Sequence, residues 1–266
     1  MRYTKVDLEG CTGAVYCADV IDLLDKLGKE CADVLFLDPP FNLGKRYSDA
    51  HDLDNKTQEE YLAWLRQIID LSVQALKPGG ALFVYHLPAW ALRLGAYADQ
   101  DLDFRHWISI SMKNGFARGQ KLYPAHYALL YFTKGAPQHF FRPKIKPLRC
   151  RSCGEFVRDY GGYRSIIEEK GVNLSDIWDD FSPVRHGSKK YRTANELPLA
   201  LFNRVLDISG RAGMMYVDPF AGSGAGAVAA ASRGLNFVVG DILQENTAII
   251  LDRIAETHTL RECDNG

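Results

Sequence analysis

"FLDPPFNL", residues 36–43, decides how the chain is read. The run before it, "CADVLFL" (31–37), is short and apolar, which suits a strand buried on both faces. One proline would close such a strand. Here there are two, with a carboxylate, Asp38, ahead of Pro39 and Pro40 and an aromatic ring, Phe41, behind them. A strand end requires neither the carboxylate nor the ring. A second stretch, "VDPFAGSGAG" (217–226), raises the same question from the far end of the chain and runs on into glycines.

Upstream of Asp38, a short strand (13–18) leads through Asp19 into an amphipathic helix and then into the strand at 33–37. That βαβ order implies a parallel sheet. Downstream, residues 42–56 are polar and turn-rich and read as a loop. Thr57 and Glu60 form a capping box for "TQEEYLAWLRQIIDLSVQAL", whose apolar positions recur at helical spacing. "KPGG" (77–80) is expected to stop that helix before the strand "ALFVYH" (81–86), and further strands are expected at 106–112 and 127–133. Near the other motif, a helix is expected over 195–209, with Asn195 near its start and Gly210 past its end. A strand (214–220), a glycine turn, a helix ("AVAAASRG"), a strand (236–242) and a final helix (244–257) complete the series.

Between these halves, residues 135–192 differ in texture: periodicity is weak, and Pro, Gly and Arg are frequent. Residues 142–192 hold twelve Lys/Arg against seven Asp/Glu, an excess of five positive charges, whereas the whole chain has a net charge of −1. There is no global basic field, so a polyanion must be held by a local patch. Arg142, Lys144, Lys146, Arg149 and Arg151 form one basic cluster. Arg185, Lys189, Lys190 and Arg192 form another. Tyr160 and Tyr163 in "RDYGGYR" are candidate stacking residues, and Trp64 and Trp178 are expected in the core.

With 266 residues, 47% hydrophobic and 24% charged, the chain can form one large α/β domain with an insertion. It has no apolar run of about 18 residues, and "MRYTKVDLEG" lacks the apolar segment of a secretory signal. Cysteines at 11, 17, 31, 150, 153 and 263 are scattered, several in apolar runs where a reduced thiol acts as a small hydrophobe. A cytoplasmic protein is therefore expected. Cys150 and Cys153 have the spacing of half a zinc site, but no second C-x-x-C exists, and free thiols in a tight turn are the expected state.

In "FAGSG", glycines between a strand and a helix allow a tight turn and close approach of a ligand. Asp241 ends the next strand about 20 residues on, where an acid suits ribose hydroxyls. The F-x-G-x-G spacing is not the dinucleotide fingerprint G-x-G-x-x-G. "DPPF" at a strand end together with "VDPFAGSGAG" resembles the S-adenosylmethionine-dependent amino-methyltransferases of DNA, which act on adenine N6 or cytosine N4. The catalytic motif precedes the cofactor motif, as in the circularly permuted β group.

The resemblance implies an α/β, Rossmann-like fold with a mixed seven-stranded sheet whose seventh strand is antiparallel. It divides the chain into a catalytic half (1–134), a target-recognition insertion (135–192) and a cofactor-binding half (193–266). S-adenosylmethionine is the implied cofactor, held by Asp19, Asp38, Asn195 and Asp218 together with Phe220, Gly222, Ser223, Gly224 and Asp241. Asp38, Pro39, Pro40 and Phe41 are the implied catalytic residues. Lys144, Lys146, Arg149, Arg185, Lys189 and Lys190 are the implied contacts to double-stranded DNA. A homodimer and a cognate restriction endonuclease are further candidate partners.

The residues support this chemistry independently. An exocyclic amine has its lone pair delocalised into the ring, so it needs acceptors that hold its N–H bonds and turn the lone pair outward. Asp38 can accept one N–H, the Pro39 carbonyl the other, and Phe41 can stack on a base flipped out of the duplex. Family members acting on cytosine more often carry Ser in place of Asp38, so the Asp favours adenine N6, with cytosine N4 as the alternative. An RNA or protein-amide methyltransferase, or a silent DNA-binding protein, are the competing classes. The first usually has Asn at the leading position, and the second would not need Asp38 or an intact glycine loop.

Overall fold

The computed structural model describes residues 1–43, 56–111, 119–120, 122–150, 152–181, 191 and 196–264, with side chains described through residue 257. The strands of the first half are β1 (Arg2–Leu8), β2 (Cys11–Cys17), β3 (Ala32–Leu37), β4 (Leu76–His86), β5 (Asp103–Ser111) and β6 (His126–Thr133). Its helices are α1 (Val20–Leu27), α2 (Gln58–Ala75) and α3 (Pro88–Ala98). The middle segment holds β7 (Lys144–Ile145), a 3-10 turn (Gly161–Tyr163), α4 (Arg164–Lys170), β8 (Val172–Asn173) and β9 (Ile177–Trp178). Then follow α5 (Leu199–Ser209), β10 (Met215–Asp218), α6 (Ala225–Ala231), β11 (Asn236–Asp241) and α7 (Gln244–Asp264).

The main sheet has the order β1-β2-β11-β10-β3-β4-β6-β5-β9. Among the described residues it has nine strands where seven are expected. The seven are β2 through β5 in that order, among which β6 alone runs antiparallel to its neighbours. The two extra strands lie at the edges. β1 folds back on β2 as an antiparallel hairpin, and the two residues of β9 pair with β5. Both escape the sequence reading because neither is buried along its length: β1 is largely exposed and β9 is too short for a periodic signal.

β3 shows why the central run is apolar throughout. Val34 and Phe36 point to one face, packing with α5, α6 and α7. Leu35 and Leu37 point to the other, packing with α1, α2 and α3. Strand side chains alternate, so a strand covered on both faces needs apolar residues at every position. Two expectations shift. "KPGG" belongs to the start of β4 rather than to a separate stop, with an irregular register between Ala32 and Val34 of β3. Helix α5 begins at Leu199 behind Pro198, and Asn195 lies outside the described residues. Helix α3 is not foreseen; its sequence "PAWALRLGAYA" carries only a weak amphipathic pattern.

The middle segment leaves and rejoins the sheet at opposite ends. β6 ends at Thr133 beside Ala81, the amino-terminal end of the parallel strands. β9 then runs parallel to β5, back toward the carboxyl ends. Its return is fastened to α5: the Arg204 guanidinium makes two bonds to the Asp180 carboxylate, 2.8 and 2.6 Å, and covers the Trp178 and Phe181 rings. Trp178 is buried in the core as expected. Among the described residues, no helix is long and apolar enough to cross a membrane.

Candidate active site

Four adjacent parallel strands, β2, β11, β10 and β3, each deliver an aspartate at or just past the carboxyl end. These are Asp19, Asp241, Asp218 and Asp38. Ligands in open α/β sheets sit in the crevice beyond such ends. A pocket opens there, lined by Asp19, Asp38 and Asp241 together with Pro39, Pro40, Phe41, Trp64 and Phe220. Ala18, Val20, Pro219, Ile242, Leu243 and Asn246 complete it. The "DPPF" turn and the "DPF" turn, some 180 residues apart in sequence, thus form facing walls of one cavity.

Each carboxylate is placed by its local backbone. Asp19 is the N-cap of α1, where its Oδ1 accepts from the Ile21 amide at 2.8 Å, and it also lines the pocket. A cap and a ligand contact are therefore compatible here. Asp241 accepts from the Gly222 amide (3.1 Å) and from the Leu243 amide (2.8 Å), tying the glycine loop to the end of β11. Asp218 does not reach the pocket wall. It is buried behind the loop, accepting from the Phe220 amide and the Tyr216 hydroxyl, each at 3.0 Å. Loss of water raises its pKa from the usual 3.8 to about 7, and the nearby Asp38 and Asp241 carboxylates push in the same direction.

Gly222, Ser223 and Gly224 also stand behind the lining, as the frame of the loop. Gly224 has φ +79°, and a Cβ there would meet Ile250 Cγ1 at 2.9 Å. Ser223 is gripped by Arg253 of α7, which donates to its carbonyl (2.6 Å) and its hydroxyl (2.9 Å). The Arg253 guanidinium also lies 4.0 Å from the Tyr191 ring centre, so the end of the middle segment meets the glycine loop.

Around the "DPPF" turn the walls are aromatic. Phe41 stacks on His86 (5.1 Å) and approaches Tyr127 and Tyr85 (5.8 and 6.1 Å). Burial raises the pKa of both tyrosines, and the Asp38 carboxylate adds to it, so both phenols stay neutral. Among the described residues, none of the hydrogen bonds uses the Pro39 carbonyl. Trp64, expected in the core, instead lines the pocket from α2, edge-on to Phe220 at 6.1 Å. Its helical spacing matched that of its buried neighbours, and that spacing does not tell a core position from a pocket wall. Asn246, at the start of α7, is likewise missed by the sequence reading. No motif marks it.

The basic clusters separate. Lys144 borders a groove with Gly210, Ala212 and Leu235, at the amino ends of β10 and β11 and thus at the pole opposite the pocket. Lys146 is exposed on the same stretch. Arg149 is engaged locally: it pairs with Glu168, donates to the Gly154 carbonyl and lies over the Phe156 ring. Arg151, Arg185, Lys189, Lys190 and Arg192 lie outside the described residues. Cys150 and Cys153 occupy a tight turn, in which backbone amides of Cys153 and Ser152 lower the pKa of the Cys150 thiol. Among the described residues, no group of three or more His, Cys, Asp or Glu could hold a metal.

Comparison with known proteins agrees with this geometry. The chain is 43% identical over 213 residues to the Type II methyltransferase M.BamHI of Bacillus amyloliquefaciens, covering 80% of this chain and 50% of that one. It is 28% identical over 211 residues to the Type II methyltransferase M.HpaI of Haemophilus parainfluenzae, covering 78% and 63%. It thus spans half to two thirds of the length of these relatives. The fold matches the PvuII DNA methyltransferase (cytosine-N4-specific) with a TM-score of 0.66 at 14% identity, covering 93% of this chain and 91% of that one. Residues 32–252 match the family model described as DNA methylase (N6_N4_Mtase), a span that includes both pocket-forming turns, and the chain belongs to that family.

Proposed function

We propose that the protein transfers the methyl group of S-adenosylmethionine to the exocyclic amine of a base flipped out of double-stranded DNA. The observation that carries this reading is the pocket itself. It joins the two turns, presents Asp19, Asp38 and Asp241, and has no Lys, Arg or His among its described lining residues. An acidic cavity with apolar walls suits a ligand that is positively charged and part nucleoside. When bound, S-adenosylmethionine supplies an electrophilic methyl on a cationic sulfur. Asp241 would hold the ribose, Asp19 the adenine end, and Phe220 and Trp64 the apolar faces. Asp218, Gly222, Ser223 and Gly224 act from behind by shaping the loop.

On the target side, Asp38 accepts one N–H of the amine and the Pro39 carbonyl the other. The amine gains positive charge as the methyl transfers, so both bonds strengthen in the transition state, and that difference accelerates the step. Phe41 gives the base a face to stack on. The Asp at the head of the motif favours adenine N6. Cytosine N4 is the second reading, since the fold neighbour from PvuII is by its title specific for that atom and both amines offer the same pair of N–H bonds. The relatives named as Type II methyltransferases support a restriction-modification role, with a cognate endonuclease as partner.

The test is incubation with labelled S-adenosylmethionine and unmethylated duplex DNA or RNA, followed by mass spectrometry of the digested product. The expected product is N6-methyladenine in DNA. N4-methylcytosine alone establishes the second reading, and label confined to RNA overturns the proposal.

A further inference from the structure

The "DPPF" turn is anchored from below by a buried polar chain that no motif predicts. His86 closes β4 with no solvent exposure, and Tyr61 of α2 is equally buried. The Leu87 amide donates to His86 Nδ1 at 2.8 Å, and His86 Nε2 lies 2.8 Å from the Tyr61 hydroxyl. The Tyr61 hydroxyl in turn donates to the Pro40 carbonyl. Burial holds the His86 ring neutral, with a pKa of about 3. Because Nδ1 is the acceptor, the one ring proton sits on Nε2. The chain therefore has a single direction: His86 Nε2–H to Tyr61, and Tyr61 O–H to Pro40.

We propose that Tyr61 and His86 are positioning residues for methyl transfer: they lock the Pro40 carbonyl so that the neighbouring Pro39 carbonyl is presented to the target amine. The proposal rests on the methyltransferase reading above. Proline rings fix φ at residues 39 and 40, and the peptide planes are rigid, so the turn retains freedom mainly in ψ. β3 holds the turn on one side through Asp38. The Tyr61 bond fixes the 40–41 plane on the other, which confines the 39–40 plane between them and sets the ring of Phe41 over His86. Packing alone does not require this device. A Phe and a Leu would fill the same space without desolvating an imidazole and a phenol.

The test uses Tyr61→Phe, which removes one oxygen and keeps the packing, with His86→Leu and His86→Gln, the last retaining a donor. Single-turnover methylation by Tyr61→Phe should fall between about 10- and 100-fold, as for a small misplacement of a catalytic group. S-adenosylmethionine affinity should stay within about twofold, since neither residue lines the cofactor pocket. His86→Gln should recover more activity than His86→Leu, and the Tyr61→Phe, His86→Leu double variant should be no slower than Tyr61→Phe. A rate within twofold of the parent in Tyr61→Phe, or a rate loss matched by lost cofactor affinity, overturns the proposal. Carbonyl-13C proline labelling gives a readout independent of turnover: the Pro40 carbonyl resonance should shift upfield in Tyr61→Phe. If the parent protein methylates nothing, the functional reading fails while this shift still decides whether the lock exists. An unmoved resonance removes the lock whatever the activity.

Discussion

The carboxyl pole of the sheet and the middle segment are built on opposite principles. At the carboxyl pole, four neighbouring strands bring aspartates to a common crevice, and long-range contacts tie its turns together. Gly222 is bonded to Asp241, Ser223 to Arg253, and Pro40 to Tyr61. The middle segment, which leaves the sheet at the amino pole, is basic and satisfies itself locally, through Arg149 with Glu168 and Arg164 with Glu155, both around the Phe156 ring. Exposed pairs of that kind contribute little, about 0–1 kcal/mol. The difference teaches that the sheet fixes the pocket through contacts between residues far apart in sequence, and that basic residues in the segment do not by themselves mark a site for a polyanion.

The comparison breaks first at Asp38. Asp38→Ala should lower single-turnover methylation by about 100-fold or more, the loss typical of one preorganised polar contact, while duplex binding persists. Rapid-quench assays that find near-normal turnover would remove the carboxyl pole from the chemistry. Next is Asp241→Ala, which loses a charged acceptor to the ribose and should weaken cofactor binding by roughly 1.5–3 kcal/mol in calorimetry. Gly226→Ala probes the frame of the loop. Its Cβ would lie 2.2 Å from the Tyr216 hydroxyl and 3.0 Å from the Asp218 carboxylate, so urea unfolding should show a loss of about 1–3 kcal/mol.

Asp218 adds a pH dependence. Its folded pKa, about 7, lies above the unfolded value of 3.8, so between these values the unfolded chain releases a proton that the native state retains. Stability contributed by this group is complete below about pH 4 and falls as pH rises toward 7. Cofactor affinity should move the other way, rising as the group ionises beside a cationic ligand, and Asp218→Asn should flatten both profiles. The smallest effect belongs to the amino pole. Replacing Lys144 and Lys146 together by Ala should change the slope of log affinity against log salt by less than about 1, because a duplex at the pocket mouth lies away from them. A drop near 2 would show that the duplex runs along the sheet to that pole.

Much of the candidate site is legible in the residue order. "DPPF" and "VDPFAGSG" each combine a strand end, a carboxylate and an aromatic ring in a way no turn requires, and Asp19 and Asp241 follow from the same strand-end logic. Seven of the sheet strands follow from apolar runs, and the capping box at Thr57 and Glu60 forms as expected. These features are local: a strand's period, a cap and a glycine turn are set by a few consecutive residues. Tertiary structure alone decided that the two turns face one another, that Asp218 stands behind the loop rather than in the pocket, and that Trp64 and Asn246 line it. It also decided that Lys144 lies at the far pole and that His86 and Tyr61 hold Pro40. Each of these depends on which strands become neighbours and in what register, and that is fixed by burying two apolar faces of one sheet at once, a condition no short stretch of sequence contains.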